Sequence, residues 1–75
     1  MKQVKIVIEK TSNHYSAYAE NVEGIYGAGD TPDEAKKSIV DAISLLKKHN
    51  KAQNIPDVLK GEFELIYRFD AQNIN

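Results

Sequence analysis

The stretch 27-GAGDTPDEAKKS-38 decides the fold, because it holds the end of a strand-like run and the start of a helix within twelve residues. Thr31-Pro32-Asp33-Glu34 is a helix start. The Thr31 hydroxyl is placed to accept from the amide of Glu34, the Glu34 carboxylate can reach back to the amide of Thr31, and Pro32 takes a first-turn position where no N–H is needed. Asp33 and Glu34 also set negative charge against the positive end of the helix dipole. Beyond them Ala35, Ile39, Ala42, Ile43 and Leu46 recur at spacings of three and four, while Lys36, Lys37, Asp41, Ser44, Lys47 and Lys48 line the other side. This predicts an amphipathic helix ending near His49, with Lys47 and Lys48 at its negative end and Asn50 as the stop.

Upstream of the helix the period changes to two. Val4, Ile6 and Ile8 alternate with Lys5, Val7 and Glu9, which reads as a first strand with one face committed to a core. Thr11-Ser12-Asn13 supplies turn-forming side chains before a second strand over 14–20, in which Tyr15, Ala17 and Ala19 alternate with Ser16 and Tyr18. Residues 21–24 turn the chain again, and 25–28 read as a short third strand weakened by Gly27. After the helix, 51–61 reads as a loop with one helical turn after Pro56. Phe63, Leu65, Tyr67 and Phe69 then alternate with Glu64, Ile66 and Arg68 in a fourth strand. The order is β-β-β-α-β, an α+β class. With a right-handed crossover through the helix, the fourth strand returns beside the first and parallel to it, giving an antiparallel meander extended to sheet order 3-2-1-4 with the helix on one face. Val7, Tyr18, Tyr26 and Ile66 are expected on the uncovered face, which is apolar enough to invite another chain.

Composition bounds the rest. Seventy-five residues make one domain, read as 1–70, because a chain of this size buries only about 60% of its unfolded surface; the segment 71–75 loses pattern and reads as a tail, the start of a further region. Four Tyr, two Phe and no Trp leave little apolar area to spare, so stability is expected to lean on a partner. The absence of Cys excludes disulfides and thiolate metal sites and agrees with a reducing, cytoplasmic setting. No run approaches the roughly 20 apolar residues of a membrane span. A net charge of −1 argues against a strongly electrostatic nucleic-acid binder. The charge is segregated, however. From Thr11 to Ala35 there is no Lys or Arg, while Glu20, Glu23, Asp30, Asp33 and Glu34 fall inside that window.

Several constellations invite a chemical reading. Gly27-Ala28-Gly29 before a helix has the outline of a phosphate cradle, but Asp30, Asp33 and Glu34 crowd the place an anion needs, and neither a third glycine nor a phosphate-loop lysine follows. The structural reading is that these glycines end a strand and permit positive backbone angles before the cap. Glu9, Glu20 and Asp30 could converge as metal-holding carboxylates, yet their places on and beside the strands favour solvation. His14 and His49 are isolated, and no serine has a nucleophile-elbow context. No catalytic residue, metal ligand or cofactor site is assigned. The tyrosines could stack on single-stranded RNA, but Tyr15 and Tyr18 alternate to opposite faces beside an acidic window, which favours packing or an interface. That window is itself either a solvated face or a surface complementary to a basic partner.

The run 15-YSAYAENVEGIYGAGDTPDEAKKSIVDAISL-45 resembles the HicB-type antitoxin pattern: a strand with Tyr-x-Ala, an acidic turn ending in Gly24-Ile25, Gly-Asp-Thr at 29–31, and Glu-Ala at 34 and 35 opening the helix. The opening MKQVKIVIEK fits the same family's first strand. The resemblance implies a partial RNase H-like fold and an antitoxin of a type II toxin–antitoxin system, which covers the basic surface of a HicA-type toxin, an mRNA interferase. It implies no nuclease activity, since function resides in sites rather than folds. Family members commonly add a carboxyl-terminal DNA-binding domain, so DNA contact is expected only through a region this chain does not contain. Glu20, Glu23, Asp30, Asp33 and Glu34 are the expected partner contacts, with Tyr26 as aromatic anchor. The rival readings are a double-stranded-RNA-binding-like module and an orphan regulatory domain that forms homo-oligomers through its open face.

Overall fold

A computed structural model describes residues 1–70; the tail assigned to 71–75 lies outside the described residues. The chain forms β1 (Lys2–Lys10), β2 (Tyr15–Ala19), β3 (Tyr26–Gly29), α1 (Pro32–His49), two 3₁₀ turns (Ala52–Asn54 and Asp57–Leu59) and β4 (Phe63–Asp70). The sheet order is β3-β2-β1-β4. β1 pairs antiparallel with β2 and β2 with β3, whereas β4 lies parallel to β1, from Lys2 opposite Phe63 to Glu9 opposite Asp70. The sheet is therefore mixed, as the crossover through α1 requires. The third strand begins at Tyr26, one residue later than its apolar run, although the Ile25 carbonyl still accepts from the amide of Ala19, in register with the β2–β3 ladder.

Alternation along β1 gives the core. Val4, Ile6 and Ile8 are buried beneath the helix side with Ala17, Ala19, Ala35, Ile39, Ile43 and Leu59. The inner face is sorted by size. On β2 and β3 it presents Ala17, Ala19, Gly27 and Gly29, with Tyr15 the one large side chain, at the start of β2, and α1 rests principally on β3 and only lightly on β1. Gly27 and Gly29 make this approach possible. A Cβ on Gly27 would lie 2.6 Å from the Ile39 backbone nitrogen, and one on Gly29 would overlap the Glu34 side chain. Positive backbone angles are not their role: those occur at Gly24 (φ 83°) and Gly61 (φ 69°), in the turns before β3 and β4. The glycine pair of the opening stretch thus serves packing, and the expectation of left-handed backbone there is corrected.

The larger inner side chains, Leu65, Tyr67 and Phe69, sit on β4, beside the helix rather than under it, and α1 reaches them with its lysines: Lys36 Nζ lies 4.8 Å from the Tyr67 ring centroid and Lys47 Nζ 4.9 Å from that of Phe63. Leu59, fully buried, brings the second 3₁₀ turn down beside β1, and Lys2 Nζ donates to the carbonyls of Asp57 and Lys60. At the other end of β4 the Phe69 ring lies against Tyr15 of β2, 6.1 Å between centroids.

On the opposite face Val7 is completely buried, although α1 packs on the other side of the sheet. Its register neighbours are Tyr18 and Arg68, and Arg68 reaches across β1 to Glu20, 3.7 Å away. The expected open face is thus apolar at Tyr18, Tyr26 and Ile66, but Val7 is sealed by its neighbours' side chains. Among the described residues, no helix is long and apolar enough to cross a membrane.

Candidate functional site

The acidic window wraps the β3 side of the molecule. Asn21 fixes the turn at one end: its Oδ1 accepts from the Lys5 amide at 2.9 Å and its Nδ2 donates to the Gln3 carbonyl at 2.9 Å, so a side chain continues the ladder where β2 has ended. This anchor, which the sequence pattern marks only as a turn former, holds Glu20 and Glu23 beside the start of β3. Glu23 is exposed. Glu20 shares its charge with Arg68 and is the least available of the acids for an outside partner.

At the other end the helix cap positions Asp30, Asp33 and Glu34. Thr31 Oγ1 accepts from the Glu34 amide at 3.1 Å, as the Thr-x-x-Glu spacing predicts. The Glu34 carboxylate closes one residue further back than expected, accepting from the Asp30 amide at 2.8 Å rather than from Thr31. Glu34 is therefore committed to the cap on one oxygen, while the Asp30 and Asp33 side chains are exposed without a hydrogen-bonded or ion-paired partner among the described residues.

The five acids do not converge on one point. Glu20 and Glu23 stand at the start of β3, and Asp30, Asp33 and Glu34 beyond its end, a separation of one short strand of roughly 13 Å. A groove of about 440 Å³ runs along the edge of β3 and the outer side of α1. Tyr26 and Glu34 both line it, together with Lys37, Ser38, Asp41, Ala42 and Leu45. Tyr26 is 69% exposed and Leu45 56%. Lys37 pairs with Asp41 across one helical turn at 3.4 Å, which reduces the positive charge this rim presents. Sequence pattern does not assign Leu45, Ser38 or Asp41 to the site. A signal for Leu45 is present all the same, since it adjoins Leu46 and falls outside the buried spacing of the helix.

His14 Nδ1 lies 2.9 Å from Thr11 Oγ1 and 3.1 Å from Asn13 Oδ1, so its polar contacts stay within its own turn. Among the described residues, no three His, Asp or Glu side chains are grouped to hold a metal ion. What the β3 side offers is a groove that presents an aromatic ring, an aliphatic side chain and the Glu34 carboxylate, with exposed acids in the segments before and after β3. Compared with protein-family models, curated proteins and solved structures, the chain matches none.

Proposed function

We propose that this chain is an antitoxin of the HicB type, which neutralises a HicA-type mRNA interferase by covering its basic RNA-contacting surface. The observation that carries the reading is the β3-side groove: Tyr26 and Leu45 stand exposed along it with Glu34 in its wall, and Glu23, Asp30 and Asp33 are exposed in the segments that precede and follow β3. A toxin that holds RNA must present positive charge, and a partner that blocks it gains encounter rate and selectivity from negative charge around an apolar contact. Aromatic anchors of this kind carry much of the affinity in protein interfaces. The string 29-GDTPDEA-35, placed between a short strand and a capped helix, supports the same reading.

Binding of a HicA-type interferase to the double variant Glu23→Lys/Asp33→Lys tests it. These two acids are exposed and have no side-chain partner within the chain among the described residues, so reversal breaks no hydrogen bond or ion pair; losing the charge that Asp33 sets against the helix dipole costs about 0.3–1 kcal/mol of stability. Affinity is expected to fall at least about tenfold at low salt, with a shallower salt dependence than the parent chain. Glu20→Lys should cost less affinity, because Arg68 already shares that charge. A parent chain that binds no such toxin, or a double variant that protects mRNA as well as the parent, would sink the proposal; retention of structured RNA with a steep salt slope would instead favour the RNA-binding reading.

A further inference from the structure

The two edges of the sheet are treated differently. β3, at one edge, is four residues long, has α1 packed beside it, and its Ala28 amide donates to Ser38 Oγ at 3.1 Å. β4, at the other, is eight residues long and pairs with β1 without interruption from Phe63 to Asp70. It contains no proline, no lysine and no bulge, the usual devices that keep an edge from pairing. Half of its backbone N–H and C=O groups point away from β1, and among the described residues no strand lies beyond it. Of the seven exposed large apolar side chains among the described residues, three are here: Ile66 at 40%, Tyr67 at 38% and Phe69 at 53%.

We infer that β4 pairs antiparallel with β4 of a second copy of this chain, about a two-fold axis through Ile66, to make one continuous eight-stranded sheet. The occupant follows from the strand's own charge pattern. A two-fold axis perpendicular to the sheet keeps the helices on one side and pairs residues that share a face. Centred on Ile66, it sets Glu64 opposite the second copy's Arg68 and Arg68 opposite the second copy's Glu64, with Ile66 meeting Ile66. On the other face Leu65 meets Tyr67 and Phe63 meets Phe69. Opposite charges and aromatic pairs directly across a ladder are the favourable cross-strand combinations. Shifting the centre to Tyr67 sets Glu64 against Asp70 and Ile66 against Arg68. Shifting it to Leu65 leaves Phe69 opposite Gly61, outside the strand. The Ile66 register gives every residue from Phe63 to Phe69 a counterpart; its one like-charged pair, Glu62 with Asp70, falls at the frayed ends, where Arg68 lies 4.0 Å from Asp70. The surface lies on the edge opposite β3 and shares one residue with the toxin reading, since Arg68 also pairs with Glu20 within the chain; Glu64→Arg therefore tests the dimer apart from that reading.

Charge swapping tests both surface and register. Sedimentation equilibrium of the parent chain should give twice the chain mass. Arg68→Glu alone sets carboxylate against carboxylate at both charged pairs of the ladder, and Glu64→Arg alone sets guanidinium against guanidinium, so each should raise the dimer dissociation constant at least about tenfold. Mixing the two variants makes both pairs opposite in sign, and native mass spectrometry should then find the heterodimer in preference to either homodimer. Should a variant fold poorly, amide exchange on the parent chain provides a second readout: the outward amides of β4 should be protected at high protein concentration and exchange faster on dilution. A parent chain that is monomeric at about 100 μM, a dimer unmoved by either variant, a mixture that does not cross-associate, or exchange on β4 independent of concentration would each overturn the inference.

Discussion

Glycine does two separate jobs in this chain, and substitution distinguishes them. Gly24 holds a positive φ with nothing within 4 Å of an added Cβ, so its requirement is conformational alone. Gly27 has ordinary backbone angles and no room, because α1 passes directly over it. Gly27→Ala is expected to destabilise the fold by about 1–3 kcal/mol through overpacking against Ile39, read as a lower urea midpoint. Asparagine, which tolerates left-handed backbone, should separate the sites: Gly24→Asn keeps most of the stability and Gly27→Asn does not. Tyr67 gives a second prediction at this scale. Burial pushes its phenol above the ordinary value of 10.0. The folded state thus favours the neutral ring, and the associated stability is present below pH 10.0 and lost as pH rises through the higher folded value. Subtracting the alkaline absorbance titration of Tyr67→Phe from that of the parent chain should show this phenol ionising above 10.0, and Tyr67→Phe should lose less stability than the parent over the same range.

Among the elements, α1 is the most legible, since its cap, its buried spacing and its end at His49 all follow from the residues. The bond from Thr31 Oγ1 to the Glu34 amide has a measurable worth: Thr31→Ala should cost about 1 kcal/mol in chemical denaturation, whereas Thr31→Ser or Thr31→Asp should restore most of it. The alternation of β1 and β4 likewise announces both strands and their inner faces. Less legible is where the helix lies. A two-residue period states which side chains face inward, but not which half of that face a helix will cover; here the small residues of β2 and β3 draw it to one side, a property of four positions taken together. The turn from Ala52 to Asn54 carries no apolar pattern, and its sequence reads as loop for that reason.

At the scale of the whole molecule, the sheet order is reachable from connection rules, while the candidate site is legible only in part. The acidic window is visible as a run without Lys or Arg, but its division into two ends and the use of Glu20 and Glu34 within the fold depend on Arg68 and Asp30, which pattern alone does not bring near. The two proposed contacts lie on opposite edges, so the loss of one interaction in solution need not remove the other. The parallel pairing of β1 with β4 has a further consequence for how the chain comes together. Gln3 meets Glu64 across a sequence separation of 61, which places the domain among topologies whose folding is slowed by the entropy of closing long loops. During synthesis the first strand leaves the ribosome with Val4, Ile6 and Ile8 still bare, and their inner neighbours on β4 arrive only when nearly all the described chain has been made. Until then the nascent chain carries an apolar, half-paired strand, the kind of intermediate on which chaperones act and from which aggregation begins.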